Sequence, residues 1–483
     1  MEKRSDMTRR TLLRGAAIGV AALASGVDKG LGERVSGPPN IVFIMADDLG
    51  YADLACYGRP DLRTPNVDGL AAKGVRFLQA YANSAVCSAT RTALITGRYQ
   101  YRLPIGLEEP LNGRDVGLPP DHPTLPSLLR KKGYRTTLIG KWHLGELPKY
   151  GPLQSGYDQF YGFRGGAVDY YTHSDDLWDG DVPVNRMGYL TDLLGDRAVE
   201  VVNEYAKSDS PFLLSLHFNA PHWPWEAPGD DSESKRLGGK HLKDFDGGTQ
   251  KIYERMIEEM DLQVGRVLEA LRANGLTKNT IVVFTSDNGG ERFADTWPFT
   301  GRKTELLEGG LRIPAIISWP LQIPQGKTTD QVAITMDWLP TLLEAARTSP
   351  DPTFPTDGIS LLPMLRGSSA IAERKLFWRY KANAQRAARD GDYKFLKILE
   401  NTFLFNVVED PMERANLKER QRDVYERLVA EWSAWDNSML PEVDGSYTDN
   451  FTGDELADHI GSRPASRKAD NPPPQGTFPA GPH

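Results

Sequence analysis

Acidic, amide, basic and imidazole side chains follow four apolar segments of the sequence, a combination able to bind a cation and an anion together. The segments are 40–45, 135–139, 212–217 and 280–285. The residues that follow them are, in chain order, Asp47, Asp48, Lys141, His143, His222, Asp287 and Asn288. Branched and aromatic residues without proline predict buried strands. If these strands are parallel, their carboxyl ends meet at one sheet edge, where ligands of open α/β sheets bind.

The carboxylates at this edge predict a metal site. Asp47 and Asp48 repel each other unless a positive charge lies between them. Oxygen ligands from Asp47, Asp48, Asp287 and Asn288 suit a hard ion, Ca²⁺ or Mg²⁺, rather than zinc. A helix cap or a turn explains either pair taken alone. Two such pairs after two strands favour the metal site.

Cys87 begins a helix-like stretch that ends at Gly97, with Arg91 one turn further along the same face. A helix N-terminus and a guanidinium favour an anion beside Cys87 and predict a lowered thiol pKa. The position therefore suits a nucleophile. Composition alone favours the alternative, a small buried cysteine with Arg91 paired to a surface acid.

Composition excludes several classes of protein. The chain has 483 residues, of which 25% are charged, and a formal net charge of −8. This acidic balance argues against a nucleic-acid partner, because phosphate backbones are held by concentrated Lys and Arg. The two cysteines, Cys56 and Cys87, are too few for a disulfide framework or a Cys-rich zinc site.

The order of predicted elements indicates an α/β fold with a largely parallel sheet. From about residue 38, short apolar runs alternate with helical patterns such as 124–132 and 249–274. We expect a catalytic domain over 38–370 and a C-terminal subdomain over 371–445. In the latter, strands are predicted around 376–380, 393–399 and 402–407, and a helix over 421–435. The Pro- and Gly-rich tail, 446–483, is expected to be irregular or disordered.

Residues 1–26 are typical of an export signal. Five basic residues lie in this segment, and an uncharged run over 15–27 follows them, too short to span a bilayer core of about 30 Å. Ala22 and Ala24 form a small-residue cleavage site, and the arginine pair Arg9-Arg10 resembles a twin-arginine signal. We expect export by the twin-arginine machinery to the periplasm or the medium, with no stable membrane span. A disordered basic arm is the alternative.

The segment from Cys87 to Arg91, with Thr96-Gly97-Arg98 downstream, resembles the signature of the formylglycine-dependent sulfatases. That signature is Cys-x-Pro/Ala-x-Arg, and further family motifs occur in order over about 39–420. They include 46–51, 140–145, 286–290 and 303–310. The resemblance, to arylsulfatase-like members of the alkaline phosphatase superfamily, implies a sandwich with a large, mostly parallel central sheet. It also implies a small C-terminal α+β domain with a four-stranded antiparallel sheet.

This resemblance implies a sulfatase that hydrolyses aryl or carbohydrate sulfate monoesters to an alcohol and inorganic sulfate. A formylglycine-generating enzyme would convert Cys87 to Cα-formylglycine. One hydroxyl of the aldehyde hydrate would attack sulfur, and the other, once deprotonated, would expel sulfate by re-forming the aldehyde. This route splits the hydrolysis into two easier steps.

The family pattern also assigns the polar residues at the sheet edge. Asp47, Asp48, Asp287 and Asn288 would bind Ca²⁺, with Mg²⁺ as the alternative, together with modified Cys87.

The remaining polar residues would handle the anion and the protons. Arg91 and Lys141 would hold the charge of the hydrate and the sulfate. His143 would be the base that breaks the sulfated intermediate. His222 and Lys303 would bind sulfate and protonate or stabilise the leaving oxygen.

Two other functions remain open at this point. One is a phosphodiester or phosphonate monoester hydrolase of the same superfold, and the other is a non-catalytic sulfoglycan-binding protein. Trp223 and Trp225 could stack on a sugar or aryl ring, but ordinary packing explains them equally well. His173 could line the pocket or lie in a surface loop. The natural sulfate ester is not identified, because specificity in such folds lies in loops.

Overall fold

The computed structural model describes residues 37–107, 115–238 and 247–442 of the chain. The predicted export signal, 1–26, and the predicted tail, 446–483, lie outside these ranges. Within them, no helix is both long enough and apolar enough to cross a membrane.

Strands and helices alternate along most of the described chain, as the apolar runs predict. The strands are β1 (Asn40–Ala46), β2 (Val75–Phe77), β3 (Ala80–Tyr81), β4 (Arg135–Lys141), β5 (Gln159–Phe163), β6 (Trp178–Asp179), β7 (Val182–Pro183), β8 (Phe212–His217), β9 (Thr280–Ser286), β10 (Ala315–Ser318), β11 (Lys327–Thr329), β12 (Ala333–Ile334), β13 (Lys375–Tyr380), β14 (Gln385–Asp390), β15 (Tyr393–Ile398) and β16 (Asn401–Asn406). The helices are α1 (Pro65–Ala72), α2 (Cys87–Thr96), α3 (Leu125–Lys131), α4 (Leu190–Tyr205), α5 (Asp231–Leu237), α6 (Gln250–Ala273), α7 (Glu308–Leu311), α8 (Trp338–Ala345), α9 (Leu362–Leu365) and α10 (Arg422–Asp436).

The central sheet is mostly parallel, as predicted. Among the described residues it has ten strands in the order β11-β2-β10-β9-β1-β8-β4-β5-β6-β7. The five middle strands, β9, β1, β8, β4 and β5, are parallel to one another. Antiparallel pairing begins at β10 on one side and β6 on the other. The resemblance to an alkaline-phosphatase-like sandwich is therefore confirmed at the level of the fold.

Both faces of the sheet are covered by helices, which explains why the middle strands lack a polar face. In β1, Val42 and Ile44 pack with α4 and α6, whereas Ile41 and Phe43 pack with α3 and α8. All four side chains are buried. A strand buried on both faces reads as a continuous apolar run, which is the pattern that identified it in the sequence.

The strand register brings the four predicted polar strand ends to one edge. Ala46 is paired with Ser286 across β1 and β9, and Gly140 is paired with His217 across β4 and β8. Gly140 has φ +100°, and a Cβ there would lie 1.8 Å from the carbonyl oxygen of His217. Only glycine allows the end of β4 to pass this close to β8.

The C-terminal sheet has four antiparallel strands in chain order, β13 to β16, as the resemblance implies. The sequence patterns identified three of them and missed β14, whose QRAARD sequence has no branched or aromatic residue. Ala387 and Ala388 are nevertheless fully buried within β14. Small side chains fit a central strand that has a helix, here α10, packed over it. The domain boundary at residue 370 stays a prediction.

A buried ion-pair cluster joins α7 and β3 to the C-terminal sheet. The carboxylate of Glu308, the first residue of α7, accepts hydrogen bonds from Tyr81 Oη at 2.6 Å and Arg312 Nε at 2.6 Å. Lys394 of β15 donates to the same carboxylate at 2.9 Å and lies 3.0 Å from Glu413 Oε1. Although burial alone raises the pKa of Glu308, the nearby Lys394 and Arg312 charges hold it below its usual range. Loss of one partner would leave an uncompensated buried charge.

We expect Lys394→Met to lower the free energy of unfolding by about 3–5 kcal/mol, the usual cost of breaking a buried ion pair. Urea unfolding followed by tryptophan fluorescence measures this change. Lys397→Met is the matched control on β15, because Lys397 is 34% exposed and lies 3.8 Å from the exposed Glu400. Its effect should stay within about 0.5 kcal/mol. Equal stability of the two variants would contradict the role given to Lys394.

Candidate active site

The polar residues predicted from the sequence converge at the carboxyl edge of the parallel strands. Asp47 and Asp48 directly follow β1, and Cys87 is the first residue of α2, which ends at Gly97 in a left-handed conformation as predicted. Ligand atoms of Asp47, Asp48, Cys87 and His222 all lie within 4.8 Å of one another. These four side chains are buried. The edge therefore concentrates donors that could hold a metal ion.

Two buried ion pairs lie within the site. Lys141 Nζ donates to Asp47 Oδ2 at 2.6 Å. Arg91 donates to Asp287 Oδ2 through Nη2 at 2.8 Å and Nε at 3.1 Å. Although burial opposes the charged form, the Asp47 carboxylate raises the pKa of Lys141, and Asp287 does the same for Arg91. The two side chains remain cations inside the protein.

Asp48 is the centre of a second group of contacts. Its Oδ2 accepts a hydrogen bond from Lys303 Nζ at 2.7 Å and lies 3.5 Å from His222 Nε2. Its Oδ1 accepts a hydrogen bond from Asn288 Nδ2 at 2.7 Å. Against the effect of burial, the Asp48 carboxylate raises the pKa of Lys303 well above its usual value. Lys303 and His222 are therefore neighbours on one side of the cluster.

Two buried oxygen atoms on the predicted metal ligands have no hydrogen-bond partner among the described residues. They are Asp47 Oδ1 and Asn288 Oδ1. A buried oxygen without a donor is costly, and a hard cation satisfies it because Ca²⁺ and Mg²⁺ bind carboxylate and amide oxygens. We call Asp47, Asp48, Asp287 and Asn288 the oxygen-donor set. Its chemistry fits the predicted cation.

The protonation state of Cys87 differs from the sequence expectation. Burial raises the pKa of its thiol well above the usual value, and the charges of Lys141 and Lys303 only partly oppose this. The expected lowering by the helix N-terminus and Arg91 is therefore wrong. Arg91 does not pair with a surface acid, since its partner is the buried Asp287. An unmodified thiol here stays protonated and is a weak nucleophile.

Both predicted histidines at the edge are neutral. Burial lowers the pKa of His143 and of His222 well below the usual value, and nearby Lys141 and Lys303 lower them further. His143 has a left-handed backbone with φ 55°, and its backbone N–H donates to the carbonyl of Arg164 at 3.1 Å. Such strained backbone persists where the surrounding structure holds it, often at functional sites. A neutral imidazole can accept a proton.

Two residues of the site escaped the sequence analysis. His217, the last residue of β8, lies 3.5 Å from Arg91 Nη1 through its Nδ1. Its position at the end of a predicted strand could have identified it from the sequence. Glu291 directly follows the 286–290 motif, and its Oε1 lies 3.6 Å from Lys303 Nζ. Burial raises the pKa of Glu291 to about 7 against the attraction of Lys303.

Glu226, in the loop after His222, also escaped the sequence analysis. Its carboxyl group is hydrogen-bonded to that of Asp169, and both side chains are buried. As carboxylates, Glu226 Oε1 and Asp169 Oδ2 have no donor among the described residues, and a proton on Glu226 would let its carboxyl group donate to Asp169. Burial first, and then the Asp169 charge, raise the pKa of Glu226 to about 9. Tyr170 connects this pair to the site, since its N–H donates to Glu226 and its hydroxyl to the His222 carbonyl.

The structure separates the two tryptophans that the sequence left open. Trp225 is buried and packs edge-to-face on Phe293, with ring centroids 4.8 Å apart. Trp223 is partly exposed, and its ring lies 4.5 Å from that of His222. Of these two tryptophans, only Trp223 is placed to meet a ligand. His173 is buried and hydrogen-bonded to Gly188, so it does not lie in an exposed surface loop.

Comparisons with known proteins agree with this geometry. Residues 39–348 match the family model described as sulfatase, and residues 301–434 match the C-terminal model of N-sulphoglucosamine sulphohydrolase. N-acetylgalactosamine-6-sulfatase of Rattus norvegicus is 33% identical over 390 residues, covering 74% of this chain and 71% of that protein. Arylsulfatase A of Homo sapiens is 30% identical over 415 residues, covering 77% of this chain and 76% of that protein.

A solved structure is similar over most of both chains. It is the crystal structure of Ps i-CgsB in complex with k-i-k-neocarrahexaose, with a TM-score of 0.75 and 30% sequence identity. The match covers 82% of this chain and 92% of that one.

We expect Glu226→Gln to become more stable than the wild type as the pH rises. The folded state keeps Glu226 protonated up to a pKa of about 9, whereas the unfolded chain ionises near the ordinary value of 4.5. The wild type therefore loses stability between these values, and glutamine, which cannot ionise, does not. Melting temperatures at pH 5, 7 and 9 should show a difference that grows from near zero. Glu258→Gln, at an exposed side chain of α6, is the control, and a pH-independent difference would refute the protonation of Glu226 in the folded state.

Proposed function

The chain belongs to the sulfatase family and hydrolyses sulfate esters, and on that premise we propose that its reaction takes place at Cys87 after conversion to Cα-formylglycine. The products are an alcohol and inorganic sulfate. One observation carries this proposal: Cys87 begins α2 within 4.8 Å of donor atoms of Asp47, Asp48 and His222. The nucleophile position, the cation donors and an imidazole thus share one buried cluster.

The raised thiol pKa supports conversion of Cys87. A protonated thiol attacks poorly, and formylglycine, which is typical of the family, supplies a hydroxyl nucleophile through its hydrate. The N-terminal turn of α2 favours negative charge at this position. Arg91, one turn further on, adds a fixed positive charge.

The oxygen-donor set would hold Ca²⁺, with Mg²⁺ as the second candidate. While Cys87 keeps its sulfur, the cluster with His222 is also a set of ligands that zinc accepts. Conversion replaces the sulfur by oxygen, and the donors then suit a hard ion. When bound, the ion acts as a Lewis acid that polarises oxygen atoms of the ester.

The cations of the site would bind the sulfate group. Lys141 and Arg91 are held protonated by Asp47 and Asp287, so their charge is fixed before substrate enters. Preorganised charge of this kind stabilises a transition state without reorganisation at the moment of reaction.

Proton transfer falls to the histidines. His143, neutral and buried, would act as the base that breaks the sulfated intermediate. His222 and Lys303 meet at Asp48 Oδ2, on the side assigned to the leaving oxygen. Lys303 stays protonated and would stabilise that oxygen electrostatically. Neutral His222 carries its N–H on Nδ1, 2.6 Å from the Trp223 carbonyl, so its Nε2 would bind the sulfate group as an acceptor and would donate to the leaving oxygen only once it is protonated.

We also propose how the protein matures and what it acts on. A formylglycine-generating enzyme would modify Cys87 in the cytoplasm before twin-arginine export to the periplasm or the medium. The substrates would be sulfated small molecules or saccharides. The names of the rat and human relatives refer to a sulfated sugar and to aryl sulfates, and Ps i-CgsB is solved with a neocarrahexaose.

We expect peptide mass spectrometry of enzyme produced with a formylglycine-generating enzyme to find Cys87 lighter by about 18 Da, the change from thiol to aldehyde. Cys87→Ala should lower kcat/KM on 4-nitrophenyl sulfate by at least about 10³-fold. Cys56→Ala, which changes the other, half-buried cysteine, is the control. Bis(4-nitrophenyl) phosphate tests the phosphodiester alternative. Full activity with an unmodified Cys87 would exclude the mechanism.

Asp287→Asn should remove most of the bound calcium and lower kcat/KM by about 10³-fold, because a neutral amide replaces a charged ligand. Elemental analysis of the purified variant measures the metal, and circular dichroism checks the fold. The exposed Asp121→Asn is the matched control. Normal calcium content together with normal turnover would show that Asp287 is not a ligand.

A further inference from the structure

Glu291 is an acidic residue beside Lys303 that the proposed reaction does not use. Its Oε1 lies 3.6 Å from Lys303 Nζ, and that nitrogen also donates to Asp48 at 2.7 Å. Lys303 therefore lies between Glu291 and Asp48, which is a member of the oxygen-donor set. A ring attached to a sulfate held by Lys303 would pass close to this carboxylate.

The second oxygen of Glu291 has no hydrogen-bond partner among the described residues. This atom, Oε2, is shielded from solvent, although the side chain as a whole is 12% exposed. A shielded carboxylate oxygen without a donor is costly, and a native protein keeps such a group where something else satisfies it. The ion pair with Lys303 uses only Oε1. A donor from outside the described chain therefore suits Oε2.

The surroundings favour a sugar hydroxyl as that donor. Lys303 and His222 meet at Asp48, and Trp223, partly exposed, lies against His222 with ring centroids 4.5 Å apart. A carboxylate acceptor and an indole beside the two leaving-group residues combine a polar and an apolar contact. A pyranose presents both, through its hydroxyls and its C–H face, whereas an aryl sulfate offers no hydroxyl donor.

We propose that Glu291 is a specificity-determining residue whose Oε2 accepts a hydrogen bond from a ring hydroxyl of the sulfated sugar. This selects sulfated saccharides over aryl sulfates, and it rests on the proposed function. A site built to bind a hydroxyl rejects a substrate that lacks it, because its own polar group is then left unpaired. The discrimination reaches about 10⁴-fold in favourable cases, and a single acceptor on a side chain that is 12% exposed should give about 10²-fold.

The test compares substrates that differ by one hydroxyl. Methyl galactopyranoside 2-, 4- and 6-sulfates are screened first, and the best of them is then compared with its monodeoxy analogues and with 4-nitrophenyl sulfate. We expect one deoxy analogue to lose about 10²-fold in kcat/KM with the wild type. In Glu291→Ala this preference, which is the ratio of the two kcat/KM values, should fall to about 3-fold or less, whatever common change the loss of the Lys303 partner makes to the rates on all substrates. Glu291→Gln, which keeps an acceptor oxygen, should retain part of the preference.

The controls separate this proposal from the function on which it rests. Glu400→Ala, at a side chain that is 96% exposed, should leave every rate unchanged. An equal loss on all substrates in Glu291→Ala would show that the residue only positions Lys303, and would overturn the proposal. Hydrolysis of 4-nitrophenyl sulfate without turnover of any sugar sulfate would also overturn the proposal for Glu291, although the proposed function would then stand. Failure on both substrate classes by converted, calcium-loaded enzyme would overturn the proposed function itself.

Discussion

The mutual neutralisation of buried charges is the constraint on which the rest of the structure depends. Lys141 and Arg91 lie almost completely shielded from water, each within hydrogen-bond distance of a buried aspartate. Removal of an ion from water costs several kcal/mol, and only close, well-oriented partners offset it. The partners come from β1, β4, β9 and α2, far apart in the chain. The parallel register must therefore end these strands at one level.

This charge balance also explains what the site attracts. The three aspartates of the oxygen-donor set face three cations, Arg91, Lys141 and Lys303. A bound divalent ion would leave the pocket positively charged, and an anionic ester would restore the balance. Above its pKa of about 7, Glu291 beside Lys303 would reduce the excess, so that a singly charged sulfate ester fits better than a doubly charged phosphate monoester. The same residue then affects both the charge and the hydroxyl pattern of the ligand.

Sequence patterns found the frame of this site because strands buried on both faces are long apolar runs, and polar residues directly after them stand out. Asp47 and Asp287 are of this kind, and β1 and β9 were found within one residue of their observed bounds. The pattern failed for β14, where small and charged residues form a central strand because α10 covers it. It also gave the wrong direction for the Cys87 pKa. The helix N-terminus is visible in a sequence, whereas the burial that outweighs it is a property of the packed molecule.

Glu226 and Glu291 show what remains hidden until the fold is known. Each is one acidic residue in a loop, and its role depends on a partner distant in sequence or on an oxygen left without one. Glu226 has a raised pKa because it is buried beside Asp169 and, through Tyr170, it supports the backbone that carries His222. Glu291 instead leaves an acceptor beside Lys303. The strand ends thus position the groups proposed to bind the ion and the sulfate, while the loops would decide which alcohol can be attached to the sulfate. Substrate preference can therefore change by single loop substitutions that leave the Lys141–Asp47 and Arg91–Asp287 pairs in place.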